Sequence, residues 1–271
     1  MSERIAFIGG GNMASAIIGG LIGQGFSSQD IDVVEPFAEA QEKLKNQFGL
    51  VAMAQPSAQL AAAALVVWAG KPQTFKEAAL QARFHTRDAL HLSVAAGIRS
   101  DSIARWLGTE RVVRAMPNTP ALIGKGITAL FARPAVSAQD KAWISRVIAT
   151  TGELLWLELE EQLDAVTALS GSGPAYMFYF MEAMTAAGAE MGLPRAQAYQ
   201  LAVATFIGAG ALAHSSGEPP EILRQRVTSK GGTTYAAITA MEQDDIKTQF
   251  MRAMHAARQR AKEMGDEFGG A

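Results

Sequence analysis

The chain has 271 residues, 49% hydrophobic and 18% charged, with a net charge of −2, the balance of a soluble globular protein with room for one large or two moderate domains. So neutral a chain, with no basic run, has no long-range attraction for a nucleic-acid backbone, and such a partner is not expected. The absence of cysteine excludes disulfides, thiolate catalysis and cysteine-ligated metal, and fits a cytoplasmic setting.

The chain is expected to begin with its fold, because Met1-Ser2-Glu3-Arg4 leads straight into the strand-like Ile5-Ala6-Phe7-Ile8, too short and too soon followed by glycine for a secretory segment. Arg4 to Ile8, Ile31 to Val34, Leu65 to Trp68, Ala89 to Val94 and Arg111 to Met116 read as strands alternating with helical stretches through about residue 158. Runs such as Leu65-Val66-Val67-Trp68 are apolar on both faces, as in a parallel sheet covered by helices on either side. The expected class is α/β, with an N-terminal Rossmann-type doubly wound parallel sheet over residues 1–160.

Gly9-Gly10-Gly11-Asn12-Met13-Ala14 follows the first strand and opens the apolar helix Met13 to Ile22. Its glycines allow a tight turn and a close backbone approach, free N–H groups at the helix start can receive a pyrophosphate, and small Ala14 lets helix and strand pack closely. A bound dinucleotide is expected. Glu35, ending the second strand, can accept the ribose hydroxyls of NAD and repel the 2′-phosphate of NADP. As an alternative it caps the helix Phe37 to Phe48.

Two later segments, counted as the ends of a fourth and a sixth strand, point to the same crevice. They are Trp68-Ala69-Gly70-Lys71-Pro72 and Met116-Pro117-Asn118-Thr119-Pro120. The flanking prolines are expected to hold Asn118-Thr119 extended, leaving an amide and a hydroxyl to project into a site. Either segment alone also reads as a rigid turn.

After Glu160 the strand signal stops, and residues 161–271 are expected to form an all-α dimerisation and substrate domain interrupted at Gly192-Leu193-Pro194, Gly217-Glu218-Pro219-Pro220 and Gly231-Gly232. Pro174 to Ala189 contains Tyr176, Tyr179, Glu182 and Thr185, and reads as a buried helix rather than a membrane span. The helices Pro174 to Met191 and Arg195 to Ala213 are apolar over most of their circumference, which predicts dimerisation. With no low-complexity linker, close packing of the two domains is expected. His85, His91, His214 and His255 have no metal-ligand spacing and read as structural or surface residues; no metal is expected.

In Pro220 to Ile238 a helix stops, a Ser/Gly/Thr loop turns and a new helix starts near Thr234. Unpaired N–H groups and hydroxyls beside a helix start can receive a carboxylate. The plainer reading is a capped turn, with Thr233 or Thr234 as N-cap.

This segment resembles the signature of pyrroline-5-carboxylate reductases, with Leu223, Val227, Thr228, Ser229, Gly231, Gly232, Thr234, Ala237, Ile238, Met241 and Glu242 in pattern. Gly9 to Ala14, Lys71-Pro72, Met116 to Pro120, Ser170-Gly171-Ser172-Gly173-Pro174-Ala175-Tyr176 and Gly231 to Thr234 are similar to that family in order and spacing, over nearly the full chain. The resemblance implies an active site near the domain junction and a homodimer that can assemble further into a decamer. The implied reaction reduces the C=N bond of 1-pyrroline-5-carboxylate to L-proline, the last step of proline biosynthesis, with NADPH preferred and NADH as alternative donor (NADP as cofactor). Ile8 with Gly9, Gly10, Gly11, Asn12, Met13 and Ala14, and Ala69 with Gly70, Lys71 and Pro72, are implied to contact the cofactor, with Asn118 and Thr119 near the nicotinamide. Val227, Thr228, Ser229, Gly231, Gly232 and Thr234 are implied to hold the substrate. Thr234 is the candidate catalytic residue, its hydroxyl bonding the ring nitrogen.

The sequence departs from the family pattern at Gly70, where an apolar residue such as Val is common, and at Lys230, where Pro is common. A β-hydroxyacid dehydrogenase shares this domain plan but carries a catalytic Lys on the helix after its glycine motif, and Pro174 to Met191 has none. A non-catalytic dinucleotide sensor accounts for the fingerprint but not for the Ser229 to Thr234 loop.

Overall fold

The structure, a computed structural model, describes residues 4–269. Residues 1–3 and 270–271, which begin the first expected domain and end the second, lie outside the described residues. By packing, the chain divides into two compact units: residues through Ser172 together with those from Ala257 on, and Gly173–Ala256.

The first unit runs β1 (Ile5–Ile8), α1 (Asn12–Gly23), β2 (Ile31–Val34), α2 (Ala38–Phe48), β3 (Leu65–Trp68), α3 (Pro72–Ala82), β4 (Leu90–Ser93), α4 (Ser100–Leu107), β5 (Val112–Met116), β6 (Gly126–Ala132), α5 (Ala138–Ala149) and β7 (Gly152–Trp156). The strands form one sheet in the order β2-β1-β3-β4-β5-β6-β7. Strands β1 to β5 pair in parallel, with Ile5 opposite both Ile31 and Leu65. Every residue of β1, β2 and β3 is buried, because side chains alternate between two covered faces. Ile5 and Phe7 join one core with Ile17, Leu92 and Ile144, while Ala6 and Ile8 join the other with Trp68, Phe75 and Ile103.

Two strands of this sheet, β6 and β7, are not among the five expected. Strand β6 runs antiparallel to β5, since the connection from Pro117 to Lys125, partly a 3-10 turn over Thr119–Ile123, is too short for the crossover a parallel neighbour needs. Strand β7 pairs in parallel with β6 after α5. The sheet is therefore mostly rather than wholly parallel, and the loops at Trp68 and Met116 follow the third and fifth strands, not a fourth and sixth.

A short helix α6 (Gln162–Val166) and a π-helical turn over Thr167–Gly171 complete this part of the first unit, burying Leu163 and Ala168. A Cβ at Gly171 would run into the Met116 methyl group.

The second unit holds α7 (Gly173–Glu190), α8 (Arg195–Ser216), α9 (Pro220–Arg226), α10 (Thr233–Gln243) and, through Ala256, the helix α11 (Ile246–Gly269). Packing thus differs from a break at 160/161, grouping residues 161–172 and those from Ala257 on with the sheet. In that distal part of α11, Asp266 pairs with Arg99 at 2.6 Å and the Gly269 carbonyl accepts from Ser102 Oγ at 2.8 Å.

Within the helical unit, α7 and α8 meet at Gly188, where a Cβ would lie 2.8 Å from that of Ala198. Phe250 of α11 stands edge-on to Tyr176 and Phe180. The expectation that α7 is a buried helix is corrected, since only Thr185 and Gly188 of it are buried in the single chain. Too few helices lie in this unit to cover its apolar circumference, and Phe178, Tyr179, Tyr199 and Ile207 remain more than half exposed. Among the described residues, α8 is the one helix long and apolar enough to cross a membrane by length and composition.

Candidate active site

The fingerprint loop begins where β1 ends, at the point where the chain has β2 on one side and β3 on the other, the usual place for a ligand crevice in an open α/β sheet. Two backbone bonds fix it there. Gly9 N–H donates to the Val34 carbonyl at 2.8 Å, and the Ile8 carbonyl accepts from Ala69 N–H at 2.9 Å. Gly9 has φ +100, and a Cβ on it would lie 2.6 Å from the Gly70 nitrogen, so only glycine lets the two loops close on each other.

Gly10 is buried, and a Cβ there would lie 2.6 Å from Leu44 Cδ1, so a side chain would have to displace the end of Leu44. Gly11 and Asn12 are exposed at the start of α1. The first bond of that helix is donated by Ser15 to the Gly11 carbonyl, so the amides of Asn12, Met13 and Ala14 precede the intrahelical ladder. Three such amides beside an open surface suit a pyrophosphate. Ala14 is fully buried, which keeps α1 close to the sheet.

Glu35 is 5% exposed, and both of its carboxylate oxygens are engaged. Oε2 accepts from Gly10 N–H at 2.7 Å and Oε1 from Phe37 N–H at 2.9 Å. The carboxylate thus steadies the fingerprint and the approach to α2, although α2 itself begins with no side-chain cap. Lys43 approaches the rim, its Nζ 3.5 Å from Asn12 Oδ1.

On the second loop, Lys71 is the exposed N-cap of α3 and Pro72 its first residue, where a missing N–H costs nothing. Gly70 has an ordinary φ, and a Cβ there would meet only the Ile8 carbonyl, at 3.7 Å. Behind the loop, Trp68 Nε1–H donates to His91 Nδ1 at 3.0 Å. That bond places the imidazole proton on Nε2, which donates to the Thr86 carbonyl at 3.1 Å. Burial pushes the His91 pKa down to about 4.

Asn118 is extended, but Thr119 already begins the 3-10 turn, with Pro120 at a position that needs no N–H. The expected extended conformation is thus found at Asn118 and not at Thr119, although Thr119 is the residue that precedes Pro120. Asn118 Oδ1 accepts from Ile127 N–H at 3.0 Å, fixing the start of β6, while Thr119 is exposed.

A charged cluster in the first unit went unnoticed in the sequence. Glu160 accepts from Ser100 N–H at 2.6 Å, from Ser100 Oγ at 2.5 Å and from buried Arg114 at 2.7 Å. Burial raises the nearby Asp164 carboxyl against the pull of Arg114, Arg99 and Arg258. The one available signal was Arg114 itself, a charge inside the apolar run Val112-Val113-Arg114-Ala115. Among the described residues, no group of three or more His, Cys, Asp or Glu side chains could hold a metal.

In the second unit, Thr228 is used to close α9, its Oγ1 donating to the Arg224 carbonyl at 2.6 Å and its N–H to that of Gln225 at 3.1 Å. Val227 is exposed beside it. Ser229 to Gly232 makes a turn, with Gly232 N–H bonded to the Ser229 carbonyl at 3.0 Å and Gly231 at φ +76. Helix α10 then starts at Thr233, capped by Gly232 with no side-chain bond, so neither Thr233 nor Thr234 is its N-cap. Its first bond runs from Ala236 N–H to the Gly232 carbonyl, leaving the amides of Thr233, Thr234 and Tyr235 ahead of the ladder. Thr234 is part-buried.

Residues 160–264 match the family described as pyrroline-5-carboxylate reductase dimerisation, and residues 4–97 match the one described as NADP oxidoreductase, coenzyme F420-dependent. A pyrroline-5-carboxylate reductase of Pseudomonas aeruginosa is 43% identical over 271 residues, with 99% of each chain covered. The solved structure of a pyrroline-5-carboxylate reductase from Coxiella burnetii matches with a TM-score of 0.89 and 36% identity, over 97% of this chain and 99% of that one. The pyrroline carboxylate reductase of Plasmodium falciparum, solved with NADP bound, matches with a TM-score of 0.87 and 26% identity, over 97% and 98% of the two chains.

Proposed function

The chain belongs to the pyrroline-5-carboxylate reductase family, NAD(P)H-dependent oxidoreductases that reduce the C=N bond of 1-pyrroline-5-carboxylate to give proline, and we propose that its Ser229 to Thr234 loop holds that substrate. The observation that carries this reading is the run of amides at Thr233, Thr234 and Tyr235 beside a threonine hydroxyl not consumed as a cap.

The reaction adds a hydride to C5 and a proton to the ring nitrogen, so the protein's main task is orientation. The reduced nicotinamide supplies the hydride. In the first unit, the amides of Asn12, Met13 and Ala14 would receive the pyrophosphate, Ile8 to Gly11 and Ala69 to Pro72 would line its path, and Glu35 would face the ribose. Asn118 and Thr119 would hold the nicotinamide end. In the second unit, the amides around Ser229, Gly231 and Gly232 and those opening α10 bind the substrate carboxylate, with Val227 and Thr228 shaping the loop. Thr234 Oγ donates to the ring nitrogen, positioning it and relaying its proton; a threonine has no useful free pKa and acts here as a donor, not as a strong acid.

The family resemblance favours NADPH over NADH, and cofactor binding in residues 1–160 with dimerisation and substrate binding in 161–271. The dimerisation domain makes the protein an oligomer. The exposed apolar faces of α7 and α8 support a homodimer as the unit, with a decamer as the higher assembly implied by the family. A cysteine-free chain suits the cytoplasm.

The purified protein should consume NADPH, and NADH to a different extent, when 1-pyrroline-5-carboxylate is added, as followed by nicotinamide absorbance. Thr234→Ala should lower kcat by roughly 10–100-fold. Unchanged kcat and KM in that variant would remove the nitrogen contact from the mechanism.

A further inference from the structure

The turn from Ser229 to Gly232 is closed by an i to i+3 hydrogen bond of 3.0 Å, and its third residue, Gly231, has φ +76. That is the pattern of a type II turn, in which the second position favours proline because its ring presets φ. This chain has Lys230 there. The substitution gives up the stiffness of a proline corner and places a cation on it.

Lys230 is exposed, and it is the only charged side chain from Val227 to Ala236. The two cations just before the loop are already neutralised, Arg224 by Glu242 at 3.1 Å and Arg226 by Glu218. Among the described residues, Lys230 has no carboxylate partner. Its charge is therefore uncompensated three residues before the amide run that opens α10, whose N-terminal dipole has the same sign. A free cation in the same short loop as a helix start favours an anionic ligand over a neutral one of the same shape.

Resting on the reading of this loop as the carboxylate site, we propose that Lys230 is a specificity-determining residue that draws the substrate carboxylate to the loop electrostatically, without touching the reacting atoms. An exposed ammonium acts through solvent, so its effect is several-fold, falls on KM and is screened by salt.

The test is the KM for 1-pyrroline-5-carboxylate in Lys230→Gln, Lys230→Pro and Lys230→Arg, at about 20 mM and about 500 mM salt, where screening lengths differ severalfold. At low salt the Gln and Pro variants should each show a KM raised roughly 3-fold, while Arg keeps the native value. At high salt all four proteins should converge, with kcat and the KM for the nucleotide held throughout. The Pro variant separates charge from turn conformation, because it restores the favoured corner residue while removing the cation. A native KM in both neutral variants at low salt overturns the proposal, as does a rise confined to Gln or one that persists at high salt. Thr234→Ala, assayed alongside, keeps the two ideas apart. If it impairs turnover while the neutral Lys230 variants do not, only the role of Lys230 falls; if it too is silent, the substrate reading of the loop falls first.

Discussion

The amide of Gly10 and the carboxylate of Glu35 are joined by a buried hydrogen bond of 2.7 Å, which ties the fingerprint loop after β1 to the end of β2. The second oxygen of the same carboxylate takes the Phe37 amide at 2.9 Å, so one side chain satisfies two backbone donors. Glutamine at this position keeps the shape but turns an N–H2 group toward one of those amides. Glu35→Gln should therefore lose about 1–3 kcal/mol of stability in chemical denaturation. On the proposed ribose-facing role of Glu35, the loss of its charge should also raise kcat/KM for NADPH relative to NADH about 3–10-fold, several tenths to just over 1 kcal/mol. An unchanged ratio would mean that the carboxylate serves the backbone alone.

His91 makes stability depend on pH. In the unfolded chain its imidazole takes a proton near the ordinary 6.5, but in the folded protein only at about 4. Between those values the unfolded state binds more protons, so stability falls as the pH drops from about 6.5 and the loss levels off below about 4, near ~3 kcal/mol in all. Urea unfolding near pH 7.5 and near pH 5 should show a loss about 2 kcal/mol greater in the native protein than in His91→Gln. Equal losses would assign the pH dependence to other groups.

Gly70 offers a stabilising substitution. Its φ is ordinary and a Cβ there has room, so Gly70→Ala reduces only the freedom of the unfolded chain and of the loop. A gain of about 0.4–1 kcal/mol is expected, with a nucleotide KM no higher than native. A loss of stability in a thermal melt would contradict this account of the loop.

Glu160 should be far less tolerant. Removing it leaves Arg114 buried without its carboxylate and leaves Ser100 N–H without its acceptor. Glu160→Ala should cost about 3–5 kcal/mol, while a Glu160→Ala, Arg114→Met double variant should recover a large part of that loss. Additive losses in this cycle would show that the two residues act independently.

The features legible in the sequence are those in which one short run carries its own structural reason. Strands β1 to β5 are short, mostly apolar runs, and Gly9 to Ala14 needs its glycines wherever a strand feeds a helix in this way. Strand β7 was hidden by Gly152 and Glu153 and by an alternating burial expected of a sheet edge. Strand β6 opens on a glycine and reverses direction through a turn whose geometry depends on Asn118 reaching Ile127. The Arg114–Glu160 pair spans 46 residues, a separation at which no local pattern operates. Thr228 illustrates a different limit: the same hydroxyl that suits a ligand also suits the end of its own helix, and the backbone claimed it. The apolar circumference of α7 and α8 was legible as an excess over what one chain covers, but which of their faces stay open was not, since an apolar helix has no polar stripe to mark them.

The closeness of Gly9 and Gly70 sets up an asymmetry in mutational tolerance. A side chain at position 9 must find room both in its own left-handed backbone and against the main chain of the facing loop, whereas one at position 70 meets neither demand. In a saturation library selected for function, position 9 should return glycine alone and position 70 a range of small residues. The two glycines look alike in the sequence, but one is imposed by the geometry of the crevice and the other is a choice this chain has made.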